Sequence, residues 1–288
     1  MKTYLDCMVC FVRQALDASR LLSDDEQIHE RVLREVLKQA ATLDLTQTPP
    51  VMGQKIHQTI KRVLNNNDPY CQIKQKFTDF ALSLEGKLQA KIDASDDKFS
   101  AAIKLSIAGN VIDFGVKSTI EEAEILETID NALAIEFEKE RIEQFARDIA
   151  KAEKILFLAD NAGEIVFDKF LLKQLPCEKV TIAVKSEPII NDATLEDAQA
   201  AGLTEIARVI TSGSAAPGTV LEQCSEQFLR EFNSSDLIIS KGQGNYETLS
   251  DIDRPIWFLL KAKCNVIAKH LSVPVGSFIL LKHTQISN

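Results

Sequence analysis

No apolar run in this chain approaches the roughly 18 residues that cross a bilayer as a helix, so a helical membrane span is not expected. The opening segment, MKTYLDCMVC, places Asp6 and a cysteine pair where a secretory leader needs an uninterrupted apolar stretch. A cytoplasmic protein is the expectation. Basic residues are not in excess either: 33 Lys and Arg against 42 Asp and Glu leave a net charge of −9, which argues against nucleic acid or an anionic membrane as the main partner. The four histidines show no H-x-x-H or H-E-x-x-H spacing, and the six cysteines have no disulfide framework. Internal repeats and low-complexity linkers are also missing. What remains is a chain of 288 residues, 45% hydrophobic and 26% charged, long enough for a substantial core and two domains.

The first 152 residues read as helices, with almost no strand signal. Tyr4–Leu22, Asp25–Leu43, Val51–Leu64 and Pro69–Ile92 each carry apolar residues at three- and four-residue spacing, and breakers such as Thr48-Pro49-Pro50 and Asn65-Asn66-Asn67-Asp68-Pro69 fall between them. Helical patterns continue at Asp97–Ile107, Ile120–Ala134 and Glu138–Ala152. From residue 153 to 288, strand and helix alternate. Strands are expected at Ile155–Ala159, Val180–Val184, Arg208–Thr211, Leu237–Ser240, Asn265–Ala268 and Ser277–Leu281, giving a mostly parallel sheet covered on both faces. The connection before the last strand is too short for a parallel crossover, so that strand should be antiparallel.

Chemistry concentrates at the carboxyl ends of these strands, where open α/β sheets bind ligands beside helix N-termini. KILFLADNAGE delivers Asp160 and Asn161 after a strand buried on both faces. VTIAVKSEPIINDAT delivers Asn191-Asp192 one βαβ length later, and adjacent parallel strands lie about 5 Å apart, so the two loops can converge. Two carboxylates and an amide oxygen at one point repel unless a cation joins them, and hard oxygen donors suit Mg²⁺, Mn²⁺ or a related ion. The plainer alternative is that Asp160 caps a helix and Asp192 closes an Asx turn. RVITSGSAAPG adds Gly213 and Ser214, whose backbone N–H groups suit an oxyanion. LIISKGQGNYE adds Lys241 at a strand end, without a carboxylate in its immediate sequence, as a candidate cation for substrate.

Six segments in order, DNAGE from Asp160, IINDAT, SGSAAPGT, SKGQGNYE, KAKCNVIA and AGNVIDFG, resemble the metal-dependent damage-control phosphatase family first catalogued as domain of unknown function 89, in its short form that also begins with C-x-x-C. The resemblance runs from Cys7 to the last strand, with a departure at Ser186-Glu187, where a glycine would follow the basic residue. It implies an α/β protein: an all-helical N-terminal domain closing the cleft of a Rossmann-like α/β/α sandwich. It also implies one divalent ion (Mg, Mn, Co or Ni) held by Asp160, Asn161 and Asp192, with Lys241 on the substrate phosphate. Asn110 and Asp113, from the Gly-Asn-x-x-Asp motif, would close the site from the helical side, and Asn245 would stand beside Lys241. The implied activity is hydrolysis of small-molecule phosphate esters such as sugar phosphates.

An aspartate-nucleophile phosphatase would need a second acid two residues after Asp160, where Ala162 stands, so a metal-activated water is expected instead, with Asp113 or Asp192 able to assist its deprotonation. Asp160, Asp192 and Lys241 are the expected catalytic set. An S-adenosylmethionine-dependent methyltransferase is a rival reading, weakened by the absence of G-x-G after the first strand. A non-catalytic metal-binding metabolite sensor is another. Cys7 and Cys10, three apart on one helical face, are a candidate half-site for a second metal or a redox pair, with Cys71 and Cys264 as partners only by elimination; idle thiols are the simpler reading.

Overall fold

The computed structural model describes residues 1–111 and 122–283. The described helices before the sheet are α1 (Leu5–Leu22), α2 (Glu26–Ala41), α3 (Pro49–Leu64), α4 (Cys71–Ser83), α5 (Glu85–Asp93), α6 (Lys98–Ala108), α7 (Glu122–Leu133) and α8 (Lys139–Lys151). Their limits follow local chemistry. Asp25 accepts the Gln27 N–H at 2.8 Å to open α2, and Asp97 accepts the Ser100 N–H at 2.9 Å to open α6. Pro49 and Pro50 fill the first turn of α3, where no N–H donor is needed, and Asn65 ends it in the left-handed conformation at φ 49°. The single helix expected over Pro69–Ile92 is instead two, broken at Leu84.

The sheet half runs β1 (Ile155–Leu158), α9 (Glu164–Leu172), β2 (Val180–Val184), α10 (Leu195–Ala200), β3 (Arg208–Thr211), α11 (Glu226–Ser234), β4 (Leu237–Lys241), α12 (Gly242–Leu249), β5 (Ile256–Lys261), α13 (Asn265–Leu271) and β6 (Phe278–Lys282). The six strands are ordered β3-β2-β1-β4-β5-β6, all parallel except β6, which pairs antiparallel with β5. This is the doubly wound order, with its switch point between β1 and β4. One expected strand is corrected. Asn265–Ala268 is the start of a helix that buries Ile267 and Ala268, and the fifth strand is the continuously apolar run Ile256–Lys261, whose first five residues are buried between β4 and β6.

Successive strand residues feed opposite cores, as a two-sided sheet requires. Ile155, Phe157, Ile182, Ile239, Trp257 and Leu259 pack with Leu88, Leu105, Phe145 and Phe170 on one face. Leu156, Leu158, Ile238, Phe258 and Leu260 pack with Phe228, Phe232, Leu249 and Ile267 on the other. Each large apolar side chain so buried contributes about 1.5–3 kcal/mol. Residue 152 therefore marks where helices give way to strands, while the first core runs across it. A third core, built on Phe11, Val36, Met52, Ile56 and Ile60, joins α1, α2 and α3. Among the described residues no helix is long and apolar enough to cross a membrane.

Candidate active site

Register places the site. Leu158 lies opposite Ala183 on β2 and Ser240 on β4, so two residues further on Asp160 emerges between Lys185 and Gly242 at the switch point. Gly242 makes that possible: it takes φ +80°, and a Cβ there would stand 1.8 Å from Asp160 Oδ2. The loop after β2 then folds back beside it. Asn161 and Asp192 form an isolated bridge, the Ala162 N–H donates to the Asn191 carbonyl at 2.8 Å, and the Ala193 N–H donates to the Asp160 carbonyl at 2.8 Å. Ile190, just before this pair, is held at φ 48°, an unusual conformation for a β-branched residue. Lys61 of α3 donates to the Pro188 carbonyl and ties the same loop to the helical layer.

Two amides and two carboxylates interlock here. Asn110, buried in the short turn after α6, donates through Nδ2 to Asp160 Oδ2 at 2.8 Å and to Glu164 Oε2 at 2.5 Å. Asn161 Nδ2 reaches the same two oxygens at 3.2 and 3.1 Å. Among the described residues Asn110 Oδ1 is buried without a hydrogen-bond partner, and Asp192 Oδ2 has only the longer contact with Lys185 Nζ. Desolvation first, then the nearby Glu164 and Asp192, push the Asp160 carboxyl well above its usual range. Desolvation pushes Asp192 up to about 6, against the pull of Lys185, whose Nζ lies 3.5 Å from Asp192 Oδ2 and donates to the Gly218 carbonyl.

Lys241 stands differently from the sequence expectation. Its side chain is fully buried beneath the strand end, and Nζ donates to Glu164 Oε1 at 2.7 Å, Asp168 Oδ1 at 2.5 Å and the Ser106 carbonyl at 2.7 Å. An ammonium has three N–H groups, and these acceptors engage all three, leaving none for a phosphoryl oxygen. Burial pulls the ammonium down, but Asp168 and Glu164 together outweigh it and hold the group above its ordinary value. Asp168, also held by the Ser106 hydroxyl at 2.7 Å, is raised to about 6, chiefly by desolvation.

The remaining expected residues have distinct places. Asn245 Nδ2 donates to the Ala159 and Lys241 carbonyls at 3.2 and 2.7 Å while Oδ1 accepts from the Thr219 hydroxyl at 2.7 Å, so it ties the ends of β1 and β4 to the segment at Thr219. Gly213 takes φ +76° and packs against Ser225, while the Ser214 N–H turns to Ser212 Oγ at 3.3 Å and Ser214 Oγ accepts from the Ala216 N–H at 3.1 Å. The Ser214 and Ala216 N–H groups are thus engaged within the loop itself. Asp113 lies outside the described residues. Cys7, Cys10 and Cys264 line a cleft of about 690 Å³, also bordered by Pro49, Pro50, Ile190, Pro217, Glu247 and Lys263, beside the site. Cys71 is exposed and does not line it. Among the described residues no three Cys, His, Asp or Glu side chains form a metal-holding group, so the candidate donor set is two carboxylates completed by amide oxygens. Glu164, Asp168, Ser106 and Lys185 complete the cluster; DNAGE displayed Glu164, but nothing local revealed that Lys241 would meet it.

The sequence from residue 3 to 279 matches the model of the Damage-control phosphatase ARMT1-like domain. The chain belongs to that family. An uncharacterized protein of Methanocaldococcus jannaschii is 41% identical over 96% of this chain and 94% of its own length. A damage-control phosphatase of Pyrococcus horikoshii is 36% identical over 98% and 99%, and one of Archaeoglobus fulgidus is 33% identical over 95% and 96%. The crystal structure of a DUF89 family protein from Pyrococcus horikoshii superposes with a TM-score of 0.89 at 33% identity, covering 99% of this chain and all of that one.

Proposed function

We propose that this chain is a cytoplasmic, divalent-cation-dependent phosphatase that hydrolyses small phosphorylated metabolites, sugar phosphates among them. The observation that carries the reading is the convergence of Asp160, Asn161 and Asp192 at the sheet switch point, with a buried Asn110 oxygen that has no hydrogen-bond partner among the described residues and an Asp192 oxygen met only by the Lys185 ammonium at 3.5 Å. Such an unpartnered amide oxygen beside mutually repelling carboxylates fits a hard cation. The family membership and the relatives named damage-control phosphatases support the phosphoryl chemistry.

Asp160, Asn161 and Asp192 would hold the ion, with Mg²⁺, Mn²⁺, Co²⁺ and Ni²⁺ as the candidates. When bound, it would supply Lewis acidity at a phosphoryl oxygen and lower the pKa of water. The chain's own groups do the rest. Lys185 sits beside Asp192 and offsets negative charge on the substrate. Asp192 is the carboxylate placed to assist deprotonation of the attacking water. Lys241 fixes Glu164 and Asp168 rather than touching the phosphate, and the cleft beside α1 and α3 receives the organic part of the ester. Phosphate release from a panel of small phosphate esters, with chelator and then each metal in turn, tests the reading. Activity abolished by chelator and restored by a divalent ion supports it; no release from any ester with any metal refutes it and favours a methyltransferase or a sensor.

A further inference from the structure

Glu164, the first residue of α9, is buried and touches three parts of the site at once. Oε1 accepts from Lys241, while Oε2 accepts from the side-chain amides of both Asn110 and Asn161. The same amide nitrogens also reach Asp160 Oδ2. A side-chain amide has a donor end and an acceptor end. A carbonyl oxygen turned toward two carboxylates would be repelled, so Glu164 and Asp160 together dictate that the NH₂ ends face them. The oxygens are thereby left for something else, and Asn110 Oδ1 is buried with no partner among the described residues.

We propose that Glu164 is a positioning residue of the cation site: it orients the Asn110 and Asn161 amides so that their oxygens serve the ion, which makes Asn110 a further oxygen donor beside Asp160, Asn161 and Asp192. Lys241 is the base of the arrangement. By pairing with Glu164 it holds that carboxylate in place. This rests on the cation reading above and adds residues to it. Partners that orient metal ligands without reaching the metal commonly change affinity about 10- to 100-fold when removed.

Calorimetric titration of Mn²⁺ into the full-length chain tests this with Glu164→Gln, Asn110→Ala and the double variant. Glutamine keeps the shape of Glu164 but cannot accept from both amides and pair with an ammonium. Each single variant is expected to weaken Mn²⁺ binding about 10-fold or more. The double variant should bind about as weakly as Glu164→Gln alone, because without Glu164 the Asn110 amide keeps only its Asp160 contact and its oxygen is no longer fixed on the ion. A folded Glu164→Gln protein with unaltered Mn²⁺ affinity overturns the proposal, as does a double variant in which the two losses multiply. If Glu164→Gln does not fold, Asn110→Ala decides, since it leaves the Lys241–Glu164 pair in place; unaltered Mn²⁺ affinity there also overturns it. Mn²⁺ binding that ignores both residues removes this inference and leaves the cation reading standing. An unaltered chain that binds no Mn²⁺ overturns both.

Discussion

Lys241 has three N–H groups and three acceptors, and its consequences are energetic before they are catalytic. Removing one partner of a buried ion pair leaves the other charge uncompensated and costs about 3–5 kcal/mol. Lys241→Ala should therefore lower stability by that order in chemical denaturation, which a lysine touching only substrate would not do. Asp192 gives a pH prediction. Its carboxyl is raised from 3.8 to about 6 by burial, so the folded chain binds a proton that the unfolded chain has lost over that interval. Stability of the chelated protein should accordingly fall as pH rises from about 4 to about 6. Asp192→Asn should flatten that slope in chelator; an unchanged slope would show that Asp192 titrates normally. In the sequence, the placement of Asp160 and Asn161 at a strand end is legible because the preceding run is continuously apolar. The partners of Lys241 are not, because Ser106, Glu164 and Asp168 lie 135, 77 and 73 residues away along the chain.

Gly242, where β4 passes into α12, decides whether Asp160 has room. A β-carbon there meets the Asp160 carboxylate at 1.8 Å, and the positive φ adds a backbone cost of about 1–2 kcal/mol for any side chain. Gly242→Ala should destabilise the chain and weaken Mn²⁺ binding together, read by thermal melting and calorimetry; wild-type values for both would mean that the turn relaxes without moving Asp160. Later in α12, burial raises the Glu247 carboxyl to about 7 from 4.5. Stability should fall as pH rises through that interval, and Glu247→Gln should remove its share of the fall. Elements were legible where periodicity was clean, as in α1 to α3 and β1 to β4. They were not where β-branched residues open a helix, as at Val266-Ile267, or where an apolar run follows a proline, as at Ile256–Lys261. The antiparallel last strand is confirmed, although its neighbour is β5 rather than a strand at Asn265–Ala268.

The whole molecule is a doubly wound sheet whose switch point lies under a helical layer, and that layer reaches the site at both flanks. Asn110 arrives from the turn after α6, and Lys61 of α3 holds the loop that carries Asp192. The parallel sheet and the helical first half follow from composition and pattern, whereas the shared core across residue 152 depends on side chains meeting across long chain separations. On the proposed reading, the carboxylates at this switch point gather a cation on which phosphate release depends. Chelator-stripped chain should release no phosphate from its best ester, regain activity saturably as Mn²⁺ is added, and lose both the activity and the Mn²⁺ binding in Asp160→Ala while remaining folded. Full phosphate release by the stripped chain, or a folded Asp160→Ala protein with the same Mn²⁺ dependence, would contradict it.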